Sequence, residues 1–139
     1  MENMKVVLDD GAYMPERAHE ADAGYDLRTP VDFTMRGVES QLIDTGVHVE
    51  IPHGYVGMLK SKSGLNTKYS ITGEGVIDSG YTGSIKVKLY KHVPGVSAFK
   101  AGDKIIQLVI LPIATPTLVQ VESLDETERG ANGFGSSGR

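Results

Sequence analysis

The chain has 139 residues and a net charge of −4, enough for one domain that buries roughly two-thirds of its surface, but not a broad basic face for nucleic acid. It has no cysteine, which excludes a disulfide framework and a thiolate metal site, and no apolar run as long as a membrane span or a signal-peptide core. This fits a cytoplasmic protein, and an anionic small-molecule substrate stays open if a few cations are gathered locally.

The 17 glycines are spread along the chain, as in a fold of short strands and turns. Lys5 to Leu8 reads as a first strand, ended by Asp9-Asp10-Gly11, and Pro15 to Ala21 as a polar loop. Ala23 to Arg28 is an alternating run with Asp26 inside it. An Asp disfavours a strand, so Asp26 lies on a solvated face or is held there for a purpose. Val31 to Met35 and Val38 to Ile43 are predicted strands parted by Arg36-Gly37. Val47, Val49 and Ile51 alternate with His48 and Glu50 up to the turn Pro52-His53-Gly54, and Tyr55 to Leu59 is the next strand. No window has sustained helical periodicity. One short exception is Ser63 to Lys68, where Ser63 is placed to cap a helical turn. Lys60-Ser61-Lys62-Ser63-Gly64 then sets cations and hydroxyls beside free backbone N–H groups, a combination that suits an anion or is simply a cap.

Gly75 to Gly83 is the most informative stretch. Asp78-Ser79-Gly80 has the chemistry of a tight turn, with Asp at the first position and Gly supplying a positive φ at the third. Val76 and Ile77 end one strand, and Ile85, Val87 and Leu89 alternate with Lys86, Lys88 and Tyr90 in the next. The predicted hairpin carries Asp78 and Tyr81 near its tip. A carboxylate, a ring and glycines there suit a grip on a small planar ligand; the alternative is an ordinary hairpin with a surface Asp.

Pro94-Gly95 and Lys100 to Asp103 are turns, and Lys104 to Ile113 is almost continuously apolar. Such a run suits a strand buried on both faces or at a subunit interface. Gln107 in its middle costs roughly 1–3 kcal/mol if unpaired, so it bonds to backbone or reaches a ligand. Leu118 to Val121 is the last predicted strand. From Asp125 onward one large apolar residue, Phe134, stands among glycines and serines. Such a tail is disordered, or is an arm that orders on a ligand. Gly133 to Gly138 fits G-x-G-x-x-G, but no helix can follow, so a dinucleotide fold is excluded. The four histidines, His19, His48, His53 and His92, are too scattered for a metal cluster.

Ala23 to Leu27, Lys62-Ser63-Gly64, Gly75 to Gly83, Gly102 to Leu108 and Arg129 to Gly138 resemble, in order and spacing, the five motifs of the trimeric dUTPases. The resemblance implies an all-β, single-domain jelly-roll-like barrel over residues 1–124 and a flexible C-terminal arm over residues 125–139. It further implies a homotrimer whose sites are shared between chains, with dUTP as substrate and no nucleic-acid or membrane partner. Asp78 then matches the carboxylate that activates water for attack on the α-phosphorus, giving dUMP and pyrophosphate. Tyr81 matches the ring beneath the deoxyribose, and the backbone from Thr72 through Gly75, Val76 and Ile77, with Lys86, the edge that pairs with uracil. Lys62, Ser63, Gly64, Gln107 and Arg129 match phosphate-binding positions. Phe134 matches the residue stacked on uracil, with Gly135, Ser136 and Ser137 over the phosphates. Asp26 matches a carboxylate linked to Mg2+ through water, an ion that commonly keeps several waters and takes other ligands from phosphates.

Four positions depart from the commonest pattern. Lys62 and Lys104 stand where Arg is usual, and lysine binds phosphate as a point charge without the bidentate fork. Asn132 replaces a glycine and Ser137 a threonine. Two other readings share these features. A dCTP deaminase resembles the hairpin but carries a catalytic Glu on the strand leaving it, where this chain has Lys86 and Lys88. A nucleotide-gated binding protein, whose arm controls a partner, is the other.

Overall fold

Alternation becomes strand at most places where the sequence predicts it. The computed structural model, which describes residues 3–136 and 138, has strands β1 (Val6–Leu8), β2 (Gly24–Arg28), β3 (Phe33–Arg36), β4 (Glu39–Asp44), β5 (Val47–Val49) and β6 (Tyr55–Lys60). One helix follows, α1 (Ser63–Tyr69), and then β7 (Ile71–Ile77), β8 (Lys86–Lys91), β9 (Val96–Phe99) and β10 (Lys104–Pro112). Every strand pair is antiparallel: a six-stranded sheet in the order β2-β10-β6-β7-β8-β4, and two ribbons, β1-β5 and β3-β9. The expected all-β class holds.

The inward residues of these strands form one core. Leu27, Met35, Ile71, Ile85, Leu89, Ile105, Ile106 and Leu108 are all but inaccessible. Each such side chain contributes about 1.5–3 kcal/mol by leaving water, as an upper figure. Phe33 and Phe99 stack with centroids 4.5 Å apart and pin the β3-β9 ribbon.

β7 changes partner along its length, and this positions the site. Ile71, Thr72 and Gly73 pair with Lys91, Tyr90 and Leu89 of β8. Glu74 to Ile77 instead pair with Lys60 to Gly57 of β6, while β8 pairs with β4 all the way to Lys86↔Asp44. The hairpin is therefore closed at its base and splayed at its mouth. Glycine allows the crossing: a Cβ at Gly73 would lie 2.8 Å from Ile106, and one at Gly75 would lie 2.9 Å from Leu59.

Several expectations need correction. The N-cap of α1 is Lys62, with no side-chain cap bond, so Ser63 is the first helical residue and not the cap. No strand forms at Leu118–Val121; the segment alternates but has no partner edge and lies exposed. The apolar run at Lys104–Ile113 is not buried on both faces throughout. Ile105, Ile106 and Leu108 are core, whereas Leu111 and Ile113 are each 44% exposed. β3 and β4 start at Phe33 and Glu39 rather than Val31 and Val38, which lie in the turns, where Gly37 has φ +67°.

Candidate active site

The turn after β7 has the predicted geometry. Tyr81 N–H donates to the Asp78 carbonyl at 3.1 Å, and Gly80 at the third position has φ +97°. Asp78 is exposed and, among the described residues, carries no ion pair. The Tyr81 hydroxyl donates to the Ser84 carbonyl at 2.7 Å, and its ring lies against Gly83, where a Cβ would sit 2.6 Å from the hydroxyl and 2.7 Å from Cζ. Gly83 thus leaves room for the ring against its own loop, and Tyr81 stays 43% exposed.

Residues that sequence reasoning missed hold this loop. Ser84 Oγ donates to Asp44 Oδ1, which also accepts from Gly46 N–H at 3.0 Å. The Ser84 hydroxyl, then the Gly46 amide, hold the Asp44 carboxyl below its usual range. Thr45 Oγ1 donates to the Ile85 carbonyl at 2.6 Å. His48 on β5 reaches the Thr82 carbonyl through Nδ1 at 2.7 Å and Asp9 through Nε2 at 2.9 Å. The Thr82 carbonyl raises the His48 pKa; burial opposes it, and Asp9 adds to the rise. In the sequence His48 is only the polar member of an alternating strand, and its partners are 34 and 39 residues away.

Beyond the splay, Gly75, Val76 and Ile77 pair through one edge with β6 and have no strand partner on the other. Lys86, exposed, stands across the opening at the start of β8. Thr72 lies deeper, in the closed base, with its hydroxyl 2.6 Å from His92 Nε2. A groove of about 570 Å³ adjoins the turn at Ser79, Gly80 and Thr82.

A second cluster forms where β2 and β10 meet the start of α1. Asp26 is 4% exposed and lies between two ammonium groups, Lys62 on Oδ1 and Lys104 at 3.3 Å from Oδ2. It is therefore held, not on a solvated face. Gln107, paired with Asp26 and Lys60 across the sheet, donates to the Ser61 carbonyl at 3.0 Å. Its Oε1 lies against Gly24, where a Cβ would come within 2.1 Å. Ser63 and Gly64 are exposed, with open space over Gly64. Their N–H groups precede the first helical bond, Asn66 N–H to Lys62 O at 3.0 Å, and so are free. The larger groove, about 580 Å³, runs beside this cluster along Arg28, Leu65, Tyr69, Phe99 and Lys104, and takes in none of the hairpin residues.

The two clusters sit at opposite ends of the β6–β7 pair. Gln107 lies on the Lys60–Glu74 row, and Asp78 follows Ile77 on the Gly57 row, roughly 10 Å further along the strands. Among the described residues, none after Ile113 hydrogen-bonds to either cluster. The hydrogen bonds described for that segment are local: Arg129 Nε donates to Asn132 O at 2.7 Å, and Ser136 N–H to Gly133 O at 3.1 Å. Phe134 is fully exposed with φ +48°, followed by Gly135 at +91°. Ser137 lies outside the described residues.

Among the described residues no three His, Cys, Asp or Glu gather into a metal cage, and no helix is long and apolar enough to cross a membrane. Residues 10–138 match the family model described as dUTPase. The chain is 43% identical to the deoxyuridine 5'-triphosphate nucleotidohydrolase of Nocardia farcinica, over 94% of this chain and 82% of that one. With the enzyme of the same name from Clostridium acetobutylicum it shares 40% identity over 99% and 98% of the two chains. The fold is similar to that of the Staphylococcus bacteriophage 80alpha dUTPase solved with dUpNHpp, with a TM-score of 0.92 and 36% identity over the whole of both chains. A mutant dUTPase of phage phi11 of S. aureus, described with a structural Mg(II) ion, has a TM-score of 0.82 and 34% identity over 87% of this chain and 97% of that one.

Proposed function

Because this chain belongs to the dUTPase family, a family of jelly-roll β folds, we propose that it hydrolyses dUTP to dUMP and pyrophosphate at the mouth of the splayed β7–β8 hairpin. The observation that carries the reading is that opening itself, an unpaired strand edge ending in Asp78 and Tyr81. Main-chain donors and acceptors of Gly75, Val76 and Ile77, with Lys86 opposite and Thr72 beneath, pair with the edge of uracil. Cytosine offers the reverse pattern and thymine adds a methyl. A buried polar edge left unmatched discriminates by ~10⁴-fold or more.

Tyr81, against Gly83, packs its ring under the deoxyribose, and a 2′-hydroxyl clashes there. The Asp78 carboxylate accepts a proton from water as the water oxygen bonds to the α-phosphorus and the bond to the β-phosphate's bridging oxygen breaks. Such a base contributes ~10²–10⁴-fold. Lys62, Ser63, Gly64 and Gln107 bind the phosphates. Arg129 meets the charge developing on them, Phe134 stacks on uracil, and Gly135, Ser136 and Ser137 close over the site.

A homotrimer accounts for the separation of the two clusters: the hairpin of one chain meets the Asp26–Gln107 end of the next, and an arm from residue 125 onward completes the site. Residues 1–124 are then the folded unit and 125–139 the arm, acting in the cytoplasm. Asp26 is a lone carboxylate already neutralised by two lysines, so a Mg2+ ion would be held by the nucleotide's phosphates, with Asp26 reaching it only through water. Bound with the nucleotide, Mg2+ would neutralise charge on the triphosphate, and Asp26 would be the residue that contacts it through water. The deaminase alternative is not favoured, since β8 carries no carboxylate. Release of pyrophosphate from dUTP, against dCTP, dTTP and UTP, is the test; equal rates on all four, or ammonia from dCTP, would overturn the reading.

A further inference from the structure

We propose that His48 is a positioning residue that clamps the loop carrying Asp78 and Tyr81 only while its ring carries two protons. This rests on the dUTPase reading for its effect on turnover, but not for the clamp itself. The geometry is unusual for a histidine. Its Nδ1 lies 2.7 Å from the Thr82 carbonyl and its Nε2 lies 2.9 Å from Asp9 Oδ1. Both partners are acceptors. A neutral imidazole has one N–H, so one of the two contacts must then set a lone pair against an oxygen; the imidazolium satisfies both.

The surroundings favour that form. Asp9 follows β1, and Asp44 at the end of β4 lies close enough to act on the ring. Lys5 and Glu50, which line the same groove, pair with each other at 3.4 Å, and Lys86 acts on Asp44. Asp9 is thus the carboxylate in contact with the ring, and among the described residues no lysine or arginine pairs with it. The ring is about a quarter exposed (27%), so protons exchange freely with solvent.

The clamp is a side-chain link between the turn after β1, β5 and the Tyr81–Ser84 loop, added to the backbone bonds Asp9 N–H to Gly46 O and Ile85 N–H to Val47 O, each 2.8 Å. Thr82 is adjacent to Tyr81, whose hydroxyl is held by the Ser84 carbonyl at 2.7 Å, so weakening the clamp loosens the backbone on one side of the ring that seats the sugar. The folded pKa lies above the unfolded value. The clamp is therefore formed on the acid side of the folded value and opens as pH rises through it. Substrate binding weakens with it, and the proton transfer at Asp78 is affected less.

The test is made on the full-length protein. The pKa of His48 is read from its ring resonances by NMR, and KM and kcat for dUTP are measured across the same pH range for wild type, His48→Gln and Asp9→Asn. In wild type, KM should rise roughly three- to tenfold through the titration, with kcat changing less. H48Q should have the raised KM at low pH and a flat profile, and D9N should move both the NMR titration and the KM rise to lower pH. An H48Q protein with wild-type KM at pH 6, or a wild-type KM that stays level while His48 titrates, overturns the proposal. If dUTP is not turned over at all, the functional reading fails instead, while the effect of D9N on the titration still tests the clamp.

Discussion

Asp78 and Asp26 show how the same side chain is put to different use by its neighbours. Asp78 follows a strand end, exposed and without an ion pair among the described residues, so both oxygens stay open to a water. Asp26 is buried between two lysines. The expectation for Asp78→Asn follows: the amide keeps the shape of the turn but cannot take a proton, so turnover should fall by at least ~10²-fold while dUTP binding is retained. Calorimetric titration with a non-hydrolysable analogue, beside a pyrophosphate assay, checks it. Turnover within a few-fold of wild type removes Asp78 from the role of base. Asp26 makes the opposite kind of prediction. Lys62→Ala leaves a buried carboxylate with Lys104 alone, which should lower stability by about 1–3 kcal/mol, read as a shift in melting temperature; an unchanged melt would mean the pair contributes only to ligand binding.

At the scale of the element, the arm and the hairpin contrast. The arm makes only local hydrogen bonds among its described residues, and ordering it costs on the order of 1 kcal/mol per residue. Truncation at Arg129 should leave the melting temperature and oligomer size unchanged and remove most dUTP turnover. A truncated chain with full turnover would make the arm a tail without function. The hairpin shows what was legible in the sequence. Alternation in Ile85, Val87 and Leu89, and the Asp-Ser-Gly turn, were readable because both are local signals. That β7 leaves β8 after Gly73 was not, because it depends on Leu59 and Ile106, residues of other strands, lying where side chains at 73 and 75 would go. The same limit explains Leu118–Val121, where alternation without a partner edge makes no strand, and His48, whose role exists only once Asp9 and Thr82 are folded beside it.

For the whole molecule the question is how two clusters at opposite ends of the β6–β7 pair would act together as the proposed site. Leu111 near the end of β10 and Ile113 just after it are each 44% exposed, and the proposed trimer would cover them. Sedimentation at micromolar concentration should give three chains of 14.9 kDa. Mixing is the sharper measurement. Asp78→Asn chains and arm-truncated chains, each inactive alone, should on joint refolding recover about a quarter of wild-type turnover if arm and hairpin come from different chains in a cyclic assembly. No recovery would mean that each chain closes its own site, or that the protein is not a trimer.

The splayed hairpin also bears on how such a protein can change over generations. A base recognised through side chains can be exchanged for another base by altering a codon or two. On the proposed reading the edge turned toward the ligand is main chain, identical in kind for every residue but proline, so substitution at the exposed Val76 leaves its donors and acceptors where they were. Gly73, Gly75 and the buried Ile77 are the exceptions: a side chain at either glycine meets Ile106 or Leu59, and Ile77 fills part of the core. Drift in this stretch is therefore checked first by folding, and a choice of base written in the peptide backbone is inherited almost unaltered.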